Sequence, residues 1–285
     1  MPPLRAVYLD KNKSLHFTEL ADLARAMWTD CQDNNNNDWA MQDYVDVQKC
    51  LEVKRSMARL FPTYNSNDQK DAHECLVRML NEKIEKDAPD IFPFKLKQQV
   101  KCLDNAHCTE TAIEDSVISL NIPHSDVSLI ELLKQSWCEE EVELRCEQCE
   151  CRKSRRSFAA ASLPPTLIFH LKRYALSGWS RRKLDYIVHC PLVLRIDEEL
   201  ITSPAKPTNY RLVAICQHTG LMDGGHYTAY VCNQNQWFFV DDQYVKDVGQ
   251  MTDVHSSTAY LLFYVREDLV PAPPITESTL STTTT

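Results

Sequence analysis

The 285-residue sequence predicts an α+β fold with an antiparallel sheet, and three patterns carry that expectation. Apolar residues recur at helical spacing through the first ninety positions, strand-like runs dominate from residue 157, and no βαβ rhythm joins the two regions. With 44% hydrophobic residues the composition is that of a globular protein. A chain of about 300 residues can bury roughly three quarters of its extended surface, enough for one large domain or two small ones.

Residues 17 to 29 place Phe17, Leu20, Leu23 and Met27 on one face, with Thr18 as the expected cap, and an Asp/Asn cluster from Asp30 to Asp38 ends the helix. Asn34 to Asn37 is expected to be a loop. A second helix is expected over 40 to 60, stopped by Pro62, and a third over 68 to 86 with Ala72, Cys75, Leu76, Met79 and Leu80 at core spacing. After Pro93 short strands follow. They are broken by one helix that opens with the capping box Ser128-Leu-Ile-Glu131 and carries Leu129, Leu132 and Leu133 inward. Later strands are expected at 166 to 174, 210 to 217, 226 to 232, 237 to 242 and 259 to 266, from alternation, β-branched and aromatic residues, and polar turns. The stretch Val270 to Thr285 is rich in Pro, Ser and Thr, has little to bury, and is expected to be disordered. One domain over 1 to 266 and a tail over 267 to 285 is the resulting organisation.

Composition excludes several functions. The five glycines, Gly178, Gly220, Gly224, Gly225 and Gly249, fit no phosphate-cradling spacing, which rules out a P-loop or a dinucleotide-binding turn. Thirty-one Lys and Arg against forty Asp and Glu give a net charge of −9, which repels nucleic acid and attracts a basic partner. No apolar run is long enough to span a membrane, and the start Met1-Pro-Pro-Leu-Arg5 lacks a signal-peptide layout, so cytoplasm or nucleus is expected. The twelve cysteines are then thiols, metal ligands or catalytic groups rather than disulfides.

Two constellations carry chemistry. Cys146-Glu-Gln-Cys149 is half of a tetrahedral zinc site, and Cys102 and Cys108 are the candidates for the other half, with His107 an alternative ligand. Gly224-Gly225-His226-Tyr227 precedes Trp237-Phe-Phe-Val-Asp241-Asp242, and an imidazole becomes a useful base when a carboxylate fixes its tautomer. If Gln234-Asn235 is a two-residue turn, paired residues sum to 469. Thr228 then faces Asp241, Asp241 lies diagonally from His226, and Asp242 points to the other side. Gln69-Lys-Asp71-Ala-His-Glu74 at the start of the third helix is by itself an ordinary acidic helix start.

In this order, the pieces resemble the ubiquitin-specific protease family of papain-like cysteine deubiquitinases. The matching stretches are Gln69 to Leu76, the Cys146/Cys149 knuckle, Leu163 to Tyr174, Tyr210 to Gly220, Gly225 to Val231, Trp237 to Val245 and Ala259 to Arg266. The resemblance implies a hand: a helical thumb over about 1 to 90, zinc-ribbon fingers over about 95 to 160, and an antiparallel β palm. Ubiquitin or ubiquitinated proteins would be the partners, with ubiquitin's basic, glycine-ended tail between thumb and palm. The resemblance makes Asp71 the carboxylate facing that tail, and sets Gly224, Gly225 and Tyr227 beside its last residues. It makes His226 the general base, Asp241 its orienting partner and Asp242 an oxyanion-supporting neighbour, with Zn2+ held by Cys102, Cys108, Cys146 and Cys149.

One departure bears on activity. The family nucleophile lies in a segment reading roughly Gly-Leu-x-Asn-Leu-Gly-Asn-Thr-Cys, which these 285 residues do not contain. Leu4-Arg5 and Tyr8-Leu9 look like the stretch just after it, so the fold is expected to be N-terminally truncated and inactive as it stands. Cys31, Cys50, Cys75 and Cys232 are poor substitutes, by helix-end polarity, burial or distance along a strand. The alternative expectation is a catalytically silent ubiquitin-binding protein, and a zinc-ribbon module without a ubiquitin role is disfavoured by the His226 and Asp241 segments.

Overall fold

The computed structural model describes residues 2–10, 13–29, 47–105, 107–146, 148–149, 151–177, 180–202, 208–221, 224–233 and 235–270. Cys31, the Asn34 to Asn37 loop and the tail beyond Val270 lie outside these residues. Helices come first: Pro2–Leu9, Thr18–Thr29, Val47–Leu60 and Ala72–Met79, the last running on through a π turn, Leu80–Ile84, into Glu85–Asp87. The Ala72 helix starts four residues later than its periodicity suggests because Asp71 is extended and caps it, accepting the Glu74 N–H at 2.9 Å. Thr18 lies inside its helix rather than capping it. The entry is held from a distance: the buried Asp87 carboxylate accepts the N–H groups of His16 and Phe17 at 2.5 and 3.0 Å.

The predicted capping box is present, with the Ser128 N–H donating to Glu131 at 3.0 Å and the Glu131 N–H donating to Ser128 Oγ at 3.3 Å. The helix it starts, Leu129–Trp137, buries Leu129, Leu132 and Leu133 to 1% exposure or less, each worth ~1.5–3 kcal/mol of apolar burial.

The main sheet places the strands Tyr244–Gly249, Gln236–Asp241, Gly224–Asn233, Asn209–Leu221, Ala259–Arg266, Thr166–Lys172 and Ile118–Asn121 side by side. All these pairings are antiparallel except the last. Alternation along Thr166–Lys172 separates two cores. Leu167, Phe169 and Leu171 face one cluster with the Leu129 helix, while Ile168 faces the other, with Phe17, Met57, Leu80 and Ile84 from the helices. A second sheet, ordered Cys108–Asp115, Phe94–Cys102, Ser154–Ser162 and Glu140–Val142, forms the fingers.

Arg173 locks the palm. Its side chain is fully buried, and the guanidinium donates to the carbonyls of Ala259, Leu184, Tyr186 and Ser256 at 2.5 to 3.0 Å. Burial pulls it down to about 10, yet it stays charged at neutral pH. Replacing it with methionine leaves four buried acceptors without their donor. We expect Arg173→Met to lower the unfolding free energy by ~3 kcal/mol or more, read as a drop in the urea midpoint; an unchanged midpoint contradicts this role.

Candidate active site and metal cluster

The His226 and Asp241 strands pair as the sum rule requires, from Asn233 opposite Gln236 to Ala229 opposite Val240. Asn235 adopts φ 70° in the connecting turn. The register carries Asp241 diagonally toward His226, and His226 Nε2 lies 2.5 Å from Asp241 Oδ1. Both side chains are partly exposed. Asp242 corrects the alternation argument. Its φ of 48° ends the extended run, so its carboxylate turns back until ligand atoms of His226, Asp241 and Asp242 all lie within 4.8 Å of one another. No cysteine joins this group among the described residues.

The Asp241 hydrogen bond raises the His226 pKa, with the Asp241 and Asp242 charges acting in the same direction. The bond favours the imidazolium. Its contribution to stability is therefore complete below the ordinary histidine midpoint and fades as pH rises through the elevated one. An NMR titration of His226 should give a midpoint above about 6.5 that falls in Asp241→Asn; a midpoint unmoved by that substitution contradicts the pairing.

Beside this dyad, direct contacts join the residues that open the Ala72 helix to the sheet strands that carry His226 and Tyr260. The Gln69 amide donates to the Gly225 carbonyl at 2.6 Å and accepts the Gly225 N–H at 2.8 Å. The Ala72 N–H donates to Tyr227 Oη at 3.2 Å, and Tyr260 Oη donates to Asp71 Oδ2 at 2.6 Å. Gly225 leaves no room for a side chain, since a Cβ there falls 2.3 Å from the Thr219 carbonyl and 2.4 Å from His218 Nε2. Gly224, in contrast, is open. His218 is buried, bonded through Nδ1 to Tyr174 and packed against the Tyr227 ring. Below Asp71 the rings of His73 and His170 stack at 3.8 Å, with Ser119 on His170 Nδ1 at 3.0 Å. Burial, and then His73, pushes His170 down to about 3, and burial also lowers His73. Both stay neutral near pH 7. Acid therefore destabilises this layer from the ordinary histidine range downward, because the unfolded chain takes up protons that the folded one refuses.

In the fingers, the sulfurs of Cys102, Cys146 and Cys149 lie within 4.8 Å of one another, and Cys102 and Cys149 are 3.3 Å apart. Cys108 is not among them. It is exposed and paired opposite Lys101, while the Cys102 N–H bond to the His107 carbonyl draws His107 into the hairpin, its Nδ1 3.7 Å from Cys146 Sγ. Hydrogen bonds, first from the Cys151 backbone, lower the Cys149 pKa and favour the thiolate that a metal requires. Tetrahedral Zn–S bonds of ~2.3 Å set sulfurs about 3.8 Å apart, a spacing that Cys102, Cys146 and Cys149 can reach around one metal ion; His107 stands beside Cys146 but outside that three-sulfur group.

The sequence matches the ubiquitin carboxyl-terminal hydrolase profile over residues 2–264. The chain belongs to the ubiquitin carboxyl-terminal hydrolase family. It is 39% identical to rat ubiquitin carboxyl-terminal hydrolase 15 over 127 residues, 43% of this chain and 13% of that protein. To the Schizosaccharomyces pombe probable ubiquitin carboxyl-terminal hydrolase 8 it is 28% identical over 240 residues, 80% of this chain and 52% of that protein. The chain thus spans from about an eighth to about half the length of these relatives. Among solved structures, the SAGA Ubp8/Sgf11/Sus1/Sgf73 DUB module bound to ubiquitin aldehyde matches with TM-score 0.69 at 21% identity, over 90% of this chain and 60% of that one. A second such module, bound to monoubiquitin, matches with TM-score 0.65 at 23% identity, over 76% of this chain and 53% of that one. The fold is that of the ubiquitin-specific proteases. Among the described residues no helix is long and apolar enough to cross a membrane.

Sequence reasoning named His226, Asp241, Asp71 and the glycine pair but missed the roles of Gln69, His218 and Tyr260. Gln69 and Tyr260 act across 156 and 189 residues of chain, a separation that no local pattern reports. Since a Cβ at position 225 meets backbone, Gly225→Ala must shift the turn, break the Gln69 bonds and displace His226. A thermal midpoint several degrees below that of the parent is expected. Parent-like melting contradicts the close approach.

Proposed function

We propose that this fold binds ubiquitin and that the seam beside His226 receives ubiquitin's C-terminal tail. The observation that carries the reading is the seam itself: a carboxylate, Asp71, on the helical side and a glycine that cannot take a side chain on the sheet side, immediately before His226. An arginine-bearing, glycine-ended tail needs both features. The matched SAGA modules are themselves bound to ubiquitin or ubiquitin aldehyde, which supports this reading. The reaction we assign to the fold is thiol-dependent hydrolysis of the peptide or isopeptide bond at ubiquitin's C-terminal glycine. His226 takes the thiol proton and returns it to the leaving amine, Asp241 holds the imidazole tautomer, and the Asp242 charge helps to stabilise the imidazolium that forms. Zinc held by Cys102, Cys146, Cys149 and His107 would act structurally, clamping the tips of the finger strands.

We further propose that the 285 residues as they stand do not catalyse this reaction, because they hold no segment of the nucleophile type and no cysteine joins the His226 group among the described residues. Binding without hydrolysis is then the activity of this chain. A ubiquitin probe with a C-terminal electrophile should leave the protein unmodified while labelled ubiquitin still binds it. Asp71→Asn, whose amide oxygen keeps the cap and whose NH2 can donate to Tyr260 Oη in place of the bond Asp71 accepts from it, removes the charge and should weaken binding about tenfold, the ~1.4 kcal/mol of one charge-assisted hydrogen bond. A covalent adduct contradicts inactivity and identifies the nucleophile, and unchanged affinity removes Asp71 from the tail site.

A further inference from the structure

Away from the seam and the fingers, two imidazoles face each other across a small sheet ordered Val254–Ser256, Val188–Cys190 and Val127–Ser128. His189 lies directly opposite His255 in the antiparallel pair. Val188, Cys190, Val254 and Ser256 alternate into the core, so both histidines stand on the outer face, where His255 is exposed. Their Nδ1 atoms are in hydrogen-bond contact, with ring centroids 4.5 Å apart and planes at 76°. Two neutral rings can meet at these atoms only if one donates and the other accepts, which puts a single shared proton between two nitrogen lone pairs.

A cation can take the place of that proton. The backbone beneath is already fixed: Arg173 donates to the Ser256 carbonyl at 2.9 Å, and Ser256 Oγ accepts the N–H groups of Thr258 and Ala259 at 3.1 and 2.8 Å. On the other side His189 pairs with Ser128, the cap of the Leu129 helix. A helix N-terminus disfavours a nearby cation, but the Glu131 carboxylate in its first turn interacts electrostatically with His189 and offsets that effect. Metal–imidazole bonds of ~2.0–2.1 Å require nitrogens about 3.3 Å apart in a tetrahedral site, a separation reached by small rotations of the two side chains.

We infer that His189 and His255 form a second metal site, a cross-strand bidentate nitrogen clip for a borderline divalent transition metal, separate from the cysteine cluster. Two imidazoles are the donor set of Zn2+, Cu2+ and Ni2+ rather than of Ca2+ or Mg2+. Water completes the coordination, with Glu131 the neighbouring carboxylate. An ion here ties together two strands 66 residues apart in sequence, and it strengthens the approach to the last palm strand, Ala259–Arg266.

Nickel chloride titrated calorimetrically into the full 285-residue chain tests this site. The parent should bind one equivalent more than either His189→Ala or His255→Ala, and saturating nickel should raise the melting temperature of the parent more than that of either variant. Circular dichroism checks that each variant is folded, and the exposed His255 makes His255→Ala the safer comparison. Equal stoichiometry in parent and variants overturns the site, as does loss in only one variant. Thiolate-to-nickel absorption accompanying the extra equivalent places the ion on cysteines and overturns it too.

Discussion

The seam between helices and sheet is the constraint on which the rest of the molecule depends. Apolar packing makes it: Phe17, Met57, Leu80 and Ile84 press on Ile168, the one face of a central strand that points away from the other core. Polar contacts then fix its register, with Asp71 held by Tyr260, the Ala72 N–H by Tyr227, and Gln69 closed on the Gly225 backbone. Apolar burial brings two surfaces together without specifying their alignment, whereas these bonds are directional and short. The geometry around His226 follows, because the Gly225 backbone that Gln69 grips immediately precedes it.

The same seam accounts for two of the glycines, Gly220 and Gly225. Only five occur in 285 residues. Gly220 takes φ 98° and, like Gly225, has no room for a Cβ, since one at position 220 would reach 2.8 Å from the Gly225 Cα. The two glycines face each other across the hairpin that carries His226. A side chain on either would push the two paired strands apart.

Much of the fold was legible because its signals are local. The Ser128-to-Glu131 box, the five late strands and the pairing of Asn233 with Gln236 each follow from neighbouring residues, and that pairing alone fixed the His226-to-Asp241 register. Reasoning failed where a local rule stopped applying. Strand alternation misplaced Asp242 because a left-handed residue ends the strand, and spacing left Cys108 and His107 as alternatives, of which the hairpin bond at Cys102 brings His107 to Cys146. Thr18 looked like a cap, but the entry to its helix is bound by Asp87, some seventy residues away. The layer of His73, His170, His218 and Tyr260 was invisible for the same reason: it is assembled from four distant segments.

Fingers and palm supply the remaining surface, and the three clustered thiols lie at the end of a finger sheet whose outer strand, Cys108–Asp115, is almost wholly exposed. The central claim is that the seam doubles as the binding site for a ubiquitin tail. Amide hydrogen exchange of the 285-residue chain, measured with and without ubiquitin, tests it most directly. The account predicts slowed exchange in residues 69 to 76 and 217 to 230, on both sides of the seam. Exchange that slows only in the fingers, or in neither region, contradicts it.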